Sequence, residues 1–221
     1  MRALTLSEKR RRMGEIIVLL KERYPSAECA LKYEGDPWKL LVMGRLSAQC
    51  TDERVNDACK ELFAKYPNCE AMAHADLSEI EDIIRPCGLF KMKAKNLKDA
   101  SAMLLDEYGG ILPAKMDALL RFPGVGRKIA NLLLGDVYGL AAVVCDTHCM
   151  RICGRLGMYK EELRDPMRIE TILRGIIPPE EGSDLCHRIV FFGREVCTAR
   201  SPSCDSCPLR ALCMHAARTG A

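Results

Sequence analysis

The chain has 221 residues, 48% of them hydrophobic and 29% charged; this supplies a core for one large domain or two small ones and excludes a disordered protein. The net charge of +3 excludes attraction of polyanions through the field of the whole molecule, so a nucleic acid would need a local basic patch. The candidates for such a patch are Arg121, Arg127, Lys128, Arg151 and Arg155.

No apolar run approaches the roughly 20 residues of a membrane-spanning helix, and the charged N-terminus lacks the apolar segment of a signal peptide. We therefore expect a soluble, cytoplasmic protein with no membrane partner. The 13 cysteines would suggest a disulfide scaffold in a short secreted chain. Without an export signal they indicate reduced thiols plus a metal site, and the odd count agrees with that interpretation.

Apolar residues recur at helical spacing along most of the chain. Thr5 and Glu8 have the spacing of a capping box at the start of the first helix, and another helical pattern follows Asp52. No segment alternates with period two, and the β-branched pair Val143-Val144 is too short to found a sheet. The predicted fold class is all-α.

Two glycines, Gly124 and Gly126, interrupt the helical patterns, and Lys128 follows on the first turn of the next predicted helix. Backbone amides at a helix start point outward and carry partial positive charge, so this turn can hold a phosphate. A dinucleotide-binding fingerprint would need glycine where Ile129 stands, and no Walker A spacing occurs here. Taken alone, the turn would favour the interpretation as a structural connection between two helices.

Four cysteines near the C-terminus, Cys197, Cys204, Cys207 and Cys213, have the spacing C-x6-C-x2-C-x5-C. Four thiolates on a short looped segment can surround one tetrahedral or cuboidal metal centre. Structural zinc sites usually contain two C-x2-C pairs, and this segment contains one. The spacing therefore favours a 4Fe-4S cluster, with zinc as the alternative.

The remaining cysteines are predicted to be small apolar residues of the core. Cys145, Cys149 and Cys153 recur every four residues along a predicted helix, where they would span roughly 12 Å, too far for one metal ion. The same core interpretation applies to Cys29, Cys50, Cys59, Cys69, Cys87 and Cys186.

Together with these features, several short motifs resemble the endonuclease III family of DNA glycosylases nearly end to end. They occur in the family's order and spacing at residues 46–52, 88–89, 93–97, 123–128 and 146–148 and in the four-cysteine loop. The resemblance implies a two-lobed helix-hairpin-helix DNA glycosylase fold, with DNA bound between the lobes. The implied six-helix barrel lobe covers residues 30–138, with the helix-hairpin-helix at about 114–136. The implied iron-sulfur cluster lobe consists of residues 1–29 and 139–221, with its cluster loop at 197–213.

In that family the hairpin lysine attacks the deoxyribose C1′ and the aspartate assists, roles that fall here on Lys128 and Asp146. A carboxylate can stabilise the sugar cation that forms as the base leaves, and an amine traps it as a Schiff base. The Schiff base then permits β-elimination of the 3′ phosphate. The implied function is the excision of oxidised pyrimidines and nicking of the abasic site.

The resemblance also implies a set of DNA contacts. Flipping a base out of the helix leaves a gap, and the family fills it with a glutamine and a leucine, here Gln49 and Leu89. The backbone contacts fall on Gly124, Gly126, Arg127 and Arg200. The expected partner is double-stranded DNA with damaged pyrimidines or abasic sites, bound by a monomer associated with the nucleoid.

Several alternatives remain open at the level of sequence. Asp146 precedes a helical pattern and suits a helix N-cap, Gln49 suits an exposed surface, and Leu89 suits a core. The chain could also be a monofunctional mismatch glycosylase or a non-enzymatic iron-sulfur DNA-binding protein. A monofunctional thymine-mismatch enzyme of this type would typically have tyrosine where Lys128 stands, and an adenine-mismatch enzyme would need an acid near residues 44–46.

Three residues depart from the family's usual pattern: Phe122, Ile129 and Cys87 stand where leucine, threonine and an aliphatic residue are common. The departures leave the proposed catalytic groups untouched.

Overall fold

The computed structural model describes residues 4–220, and within this range it contains helices and loops but no strand, which confirms the all-α class. The first α-helices along the chain are α1 (Leu6–Arg23), α2 (Pro37–Leu46), α3 (Asp52–Lys65), α4 (Cys69–His74), α5 (Leu77–Ile84) and α6 (Phe90–Tyr108). They are followed by α7 (Met116–Leu119), α8 (Arg127–Asp136), α9 (Thr147–Arg155), α10 (Pro166–Arg174), α11 (Gly182–Glu195) and α12 (Met214–Thr219). Short 3-10 helices occupy Arg85–Cys87, Pro179–Glu181 and Arg210–Leu212.

Side-chain caps define where many of these helices begin. The predicted capping box is present, since the Thr5 hydroxyl accepts from the Glu8 amide and the Glu8 carboxylate accepts from the Thr5 amide at 2.8 Å. Aspartates, a threonine and an asparagine cap α2, α3, α4, α5, α9 and α10. Each cap satisfies amide groups that a helix cannot satisfy within itself.

Contacts between residues divide the chain into two compact units. The central unit, Cys29–Tyr138, contains α2 to α8. The terminal unit comprises Met1–Glu28 and Gly139–Ala221, of which residues 4–28 and 139–220 are described, and it contains α1 and α9 to α12. Each unit has its own core, with buried side chains such as Leu40, Leu62 and Met72 in the central unit and Met13, Ile152 and Phe192 in the terminal unit.

In the terminal unit, α1 packs against α11, so the two ends of the chain share one core. The Tyr24 hydroxyl donates to Glu195 at 2.7 Å, and Lys21 forms an ion pair with Glu181 at 2.5 Å. Ion pairs that are partly exposed contribute little to stability, so the apolar face of α1 must provide most of this attachment. That face consists of Met13, Ile16, Ile17 and Leu20, all buried.

The central unit contains a lysine in its core. Lys93 is 0% exposed, and its ammonium donates to the backbone carbonyls of Leu46, Ala48 and Cys87, each at 2.8 Å. An ammonium has three donors and no acceptor, so these three bonds satisfy it completely. Lys93 thereby joins α6 to the end of α2 and to the loop before α6.

The connection between α7 and α8 packs on a second buried cation, Arg45. In the orientation that satisfies both groups, the Asn96 amide oxygen accepts from Arg45 Nε at 3.0 Å and from Nη2 at 2.9 Å. Gly124, with φ of 76°, lies directly over this pair. A Cβ on Gly124 would approach Arg45 Nε, and would lie 2.6 Å from both Arg45 Cδ and the Asn96 amide.

Two of the departures from the family pattern fit their surroundings. Phe122 is buried and stacks on Tyr108, with ring centroids 5.3 Å apart. Ile129 on α8 packs on Gly44 of α2, where an added Cβ would lie 3.3 Å from Ile129 Cγ2. The larger aliphatic side chain at position 129 therefore faces a position without a side chain.

Within residues 4–220, no helix has the length and apolar character needed to cross a bilayer.

We expect Gly124→Ala to destabilise the protein by about 2–3 kcal/mol, because the left-handed backbone strains a Cβ and the methyl group would displace Arg45 from Asn96. Gly126→Ala is the matched control: φ is −100° there, and an added Cβ meets no atom within 4 Å. That change should cost less, about 0.5–1 kcal/mol, because alanine is a poorer N-cap than glycine. Urea unfolding followed by circular dichroism measures both, and equal midpoints for the two variants would contradict the expectation.

Candidate active site and metal centre

The loop at residues 120–126 forms a hairpin between α7 and α8 in the central unit. The helix before the hairpin, α7, is shorter than the helix-forming composition of this segment suggests. It covers only Met116–Leu119, and hydrogen-bonded turns then lead to Gly126. Gly126 is the N-cap residue of α8 and has no side chain, so no side-chain cap engages the first amides of α8. An anion could therefore bind at this helix start, where the space around Gly126 is open.

Lys128 is the second residue of α8, on the turn that follows the open helix start. Its side chain is exposed, while that of Arg127 is half-buried. The hairpin thus places an accessible primary amine within one helical turn of a group of amides suited to a phosphate.

Asp146 belongs to the terminal unit, where it is the N-cap of α9. Its Oδ1 accepts from the Cys149 amide at 2.7 Å, so the capping role that the sequence suggested as an alternative is present. A carboxylate has two oxygens, and a cap that uses one of them is compatible with a chemical role for the group.

Three arginines that were expected in one basic patch, Arg121, Arg151 and Arg155, form bonds within the protein. Arg121 pairs with Glu107 at 2.6 Å and donates to the Tyr108 hydroxyl. Arg151 donates to the carbonyls of Gly193 and Cys197, and Arg155 donates to those of Thr198 and Ala199. These arginines therefore stabilise local structure, which the spacing of basic residues in the sequence could not reveal.

Gln49 and Leu89 share an unusual backbone conformation in the central unit. They are non-glycine residues with positive φ, 54° for Gln49 and 49° for Leu89. Both side chains are exposed, and Leu89 is 51% accessible, which excludes its interpretation as a core leucine. Positive φ costs an ordinary residue about 1–2 kcal/mol, so other contacts must maintain these two conformations.

In the terminal unit, the four cysteines of the C-terminal loop line one pocket together with Arg155. Cys197, Cys204, Cys207 and Cys213 are all half-buried and unbridged. Arg155 donates to the Cys197 sulfur at 3.3 Å, and the Ala216 amide donates to the Cys213 sulfur at 3.5 Å.

The donor set fits a metal-sulfur centre. Burial raises the pKa of the Cys207 and Cys213 thiols; backbone amides lower it, while the neighbouring sulfurs raise it further. Four thiolates that line one pocket need a positive centre to offset their charge, and iron or zinc would supply it. Pocket, ligand type and spacing are thus consistent with one four-cysteine metal centre.

Cys145, Cys149 and Cys153 do not share one helix, because α9 begins at Thr147 and Cys145 precedes it. Cys149 and Cys153 are buried and Cys145 is half-buried. Hydrogen bonds with Cys145, Cys153 and Cys186, together with burial, raise the pKa of the Cys149 thiol well above its usual range. These thiols therefore behave as weakly polar core groups. Of the remaining cysteines, Cys59, Cys87 and Cys186 are buried, and Cys29, Cys50 and Cys69 are half-buried.

Sequence reasoning did not identify the roles of Lys93 and Arg45. A signal for Lys93 was present, because the residue stands on the same helix face as Leu97, Ala100 and Leu104, a face that is otherwise apolar. A lysine on such a face indicates either that the face has been wrongly predicted as buried or that the ammonium is hydrogen-bonded to acceptors in the core.

Comparison with known proteins supports these features. Residues 42–179 match the model of the HhH-GPD superfamily base excision DNA repair protein, and residues 197–213 match the iron-sulfur binding domain of endonuclease III. The second match confirms the predicted iron-sulfur cofactor and favours it over zinc.

Full-length relatives agree with the domain matches. The chain is 44% identical to Endonuclease III of Synechocystis sp. over 96% of this chain and 95% of the relative. It is 41% identical to Endonuclease III of Bacillus subtilis over 87% of each.

The structure is similar to that of a trapped covalent Endonuclease III-DNA intermediate, with a TM-score of 0.89 and 38% identity over 99% of this chain and 100% of that one. The motifs, the hairpin and the four-cysteine loop thus occur in a chain that belongs to the endonuclease III family of HhH-GPD base excision DNA repair proteins.

Proposed function

We propose that this enzyme excises oxidised pyrimidines from double-stranded DNA and nicks the resulting abasic site, with the amine of Lys128 as the nucleophile and its Schiff base as the intermediate that permits nicking. The two activities, DNA glycosylase and abasic-site lyase, are those of its family. The observation that carries the residue assignment is the exposed Lys128 amine on the first turn of α8, directly behind an open helix start. Similarity to the trapped covalent Endonuclease III-DNA intermediate supports a covalent mechanism.

One lysine accounts for both reactions. Its neutral amine attacks C1′ of the deoxyribose, and the bond from C1′ to the base breaks, with the electron pair leaving on the base. The resulting aminal opens to a Schiff base between Nζ and C1′. This cation acidifies C2′, and loss of a C2′ proton breaks the C3′–O bond and releases the 3′ phosphate. Water as nucleophile would give base removal alone.

Asp146 is assigned to charge stabilisation and proton transfer. As the base leaves, positive charge develops on the sugar, and a carboxylate stabilises it electrostatically. The N-cap bond to the Cys149 amide fixes the orientation of the Asp146 carboxyl group before substrate arrives. Pre-orientation of this kind is the means by which a fixed charge lowers a barrier without reorganisation during the reaction.

Gln49 and Leu89 are assigned to the gap left by the flipped base. The Gln49 amide can hydrogen-bond the unpaired partner base, and the Leu89 side chain can replace the lost stacking. Their exposure and left-handed backbone support this assignment, since each side chain is presented outward at an energetic cost. Gly126, Gly124 and Arg127 at the hairpin and the exposed Arg200 in the cluster loop would contact the DNA backbone.

The four cysteines would hold a 4Fe-4S cluster whose role is to fix the shape of the loop at residues 197–213. Arg151 and Arg155 support the same loop from α9 through its carbonyls. We further propose that the two units correspond to the two lobes of the family's fold, and that the enzyme acts as a monomer on the DNA of the nucleoid in the cytoplasm.

Lys128→Ala should abolish both borohydride trapping and nicking of a duplex with one thymine glycol opposite adenine, because the nucleophile is removed. DNA affinity, measured by fluorescence anisotropy, should change little. Lys115→Ala is the matched control, an exposed lysine at the other end of the hairpin segment, and should trap normally. Trapping by Lys128→Ala at the rate of the control would remove Lys128 from the mechanism.

Asp146→Asn should lower the single-turnover rate of base excision by about 100-fold or more, because the stabilising charge is lost. The fold should be retained, since asparagine caps helices about as well as aspartate. Asp165→Asn, which alters the equivalent aspartate cap of α10 in the same unit, should leave the rate unchanged. Equal excision rates for these two variants would show that Asp146 acts only as a helix cap.

Cys204→Ser should lower the bound iron and the melting temperature of the protein, because three thiolates hold a cluster less well than four. Cys145→Ser, a half-buried cysteine of the same unit outside the pocket, should keep its full iron content. Iron analysis and thermal melting measure both. A Cys204→Ser protein with normal iron, stability and DNA binding would contradict the scaffold role.

A further inference from the structure

We propose that Lys93 is a positioning residue for base flipping: its buried ammonium holds together the two loops that present Gln49 and Leu89 to DNA. The inference rests on the proposed function of those two side chains. Lys93 would touch neither DNA nor the reacting sugar, and would act through the backbone of the two loops.

The three acceptors of the Lys93 ammonium lie in the two segments that carry Gln49 and Leu89. Two of the acceptors are the carbonyls of Leu46, the last residue of α2, and of Ala48, the residue directly before Gln49. The third, Cys87, lies two residues before Leu89. One ammonium group thus bonds to both loops at once, 2.8 Å from each carbonyl.

The three bonds of Lys93 require its protonated form. A neutral amine has two N–H donors, so three donated bonds need the protonated form. Burial lowers the pKa of Lys93, while the neighbouring thiols of Cys50 and Cys87 oppose that effect. Among the described residues, the cations next to this group are Arg45, which lowers the pKa of Lys93, and Arg54, which acts on Cys87.

The bonds of Lys93 offset backbone strain at Gln49 and Leu89. Gln49 and Leu89 both have positive φ, a conformation that an unsupported loop residue rarely keeps. Lys93 lies four residues after Leu89 on α6, and its amide donates to the Leu89 carbonyl at 3.0 Å. The first turn of α6 and the ammonium together leave the two loops little freedom to relax.

A thiol contact joins the same two loops. Cys50 follows Gln49, and its side chain is hydrogen-bonded to that of Cys87. The ammonium and the thiol contact therefore hold the first loop on both sides of Gln49. In the second segment both contacts fall on Cys87, two residues before Leu89. This arrangement suits residues that must enter a DNA helix without bending away.

The test compares Lys93→Met with Lys98→Met. The control removes another lysine of α6, one that donates to a single carbonyl, that of Ala75, at 2.7 Å. Each variant is assayed for nicking on a thymine glycol duplex and for borohydride trapping on a single-stranded oligonucleotide with one abasic site. The single strand has no partner base and no stacked gap, so it needs neither Gln49 nor Leu89.

We expect Lys93→Met to lower kcat/KM on the duplex by about 100-fold, the loss that small displacements of positioning groups produce. Trapping on the single strand should stay within about 2-fold of the unaltered enzyme, and Lys98→Met should resemble the unaltered enzyme on both substrates. Lys93→Arg, which keeps the charge and donors, should recover part of the duplex activity. Loss of both activities in parallel by Lys93→Met and Lys93→Arg would overturn the inference and leave Lys93 a general stabiliser.

Gln49→Ala and Leu89→Ala separate this inference from the proposed function. Both should also lose activity on the duplex selectively. If both variants lose duplex activity selectively and a folded Lys93→Met variant keeps it, the positioning role of Lys93 is overturned, while the roles of Gln49 and Leu89 stand. If Gln49→Ala and Leu89→Ala act normally on the duplex, the proposed roles fail, and the inference fails with them.

Discussion

Buried backbone carbonyls at helix ends and in turns need hydrogen-bond donors. In this chain, cationic side chains from a neighbouring helix donate to many of them. Lys93 does so for the loops at Leu46–Ala48 and Cys87. Arg151 and Arg155 do so for the end of α11 and the start of the cluster loop. The segments that carry Gln49 and Leu89, and the cluster loop, are therefore held by charged hydrogen bonds to a neighbouring helix. Bonds of this type are stronger and more directional than those between neutral groups.

The helix starts show the complementary pattern. Side chains cap α9 and α10, and the Asp146 cap keeps that carboxylate in a fixed orientation. The start of α8 differs, because Gly126 offers no side chain and open space lies outside it. Its amides are available to a ligand, while Gly124 on the inner side lies against Arg45 and Asn96. The two glycines of the hairpin thus meet different constraints: packing excludes a Cβ at Gly124, and the missing side chain at Gly126 leaves the helix start open.

Much of this could be predicted from the sequence. The all-α class and the capping box follow from local periodicity and spacing, and the four-cysteine centre follows from ligand spacing. The length of α7 could not be predicted, since turns with helix-like composition end it after Leu119. The predicted start of α9 was also wrong: Cys145 was expected on the helix, but the helix begins after its N-cap residue, Asp146.

The contacts that position the site were out of reach for a different reason. Lys93, Arg45 and the arginines of α9 bond to residues 40 or more positions away or to another helix, and a single sequence carries no record of such pairs. Their charge suggested contact with solvent or DNA, whereas in the structure these side chains are hydrogen-bonded to other groups of the protein. The exposure of Leu89 also depends on the left-handed turn at the start of α6, which its side chain does not encode.

The division of the chain also fixes an order of events during synthesis. The central unit is continuous in sequence, so all of its parts have emerged from the ribosome once Tyr138 has cleared the exit tunnel. The terminal unit is not, because α1 packs on α11, which is made more than 150 residues later. Domains tend to fold as units in the order of their synthesis, so α1 must wait with its apolar face unpaired while the central unit forms. Helix α1 is thus translated before the central unit but packs only after it, and its apolar face is open to other contacts during that interval.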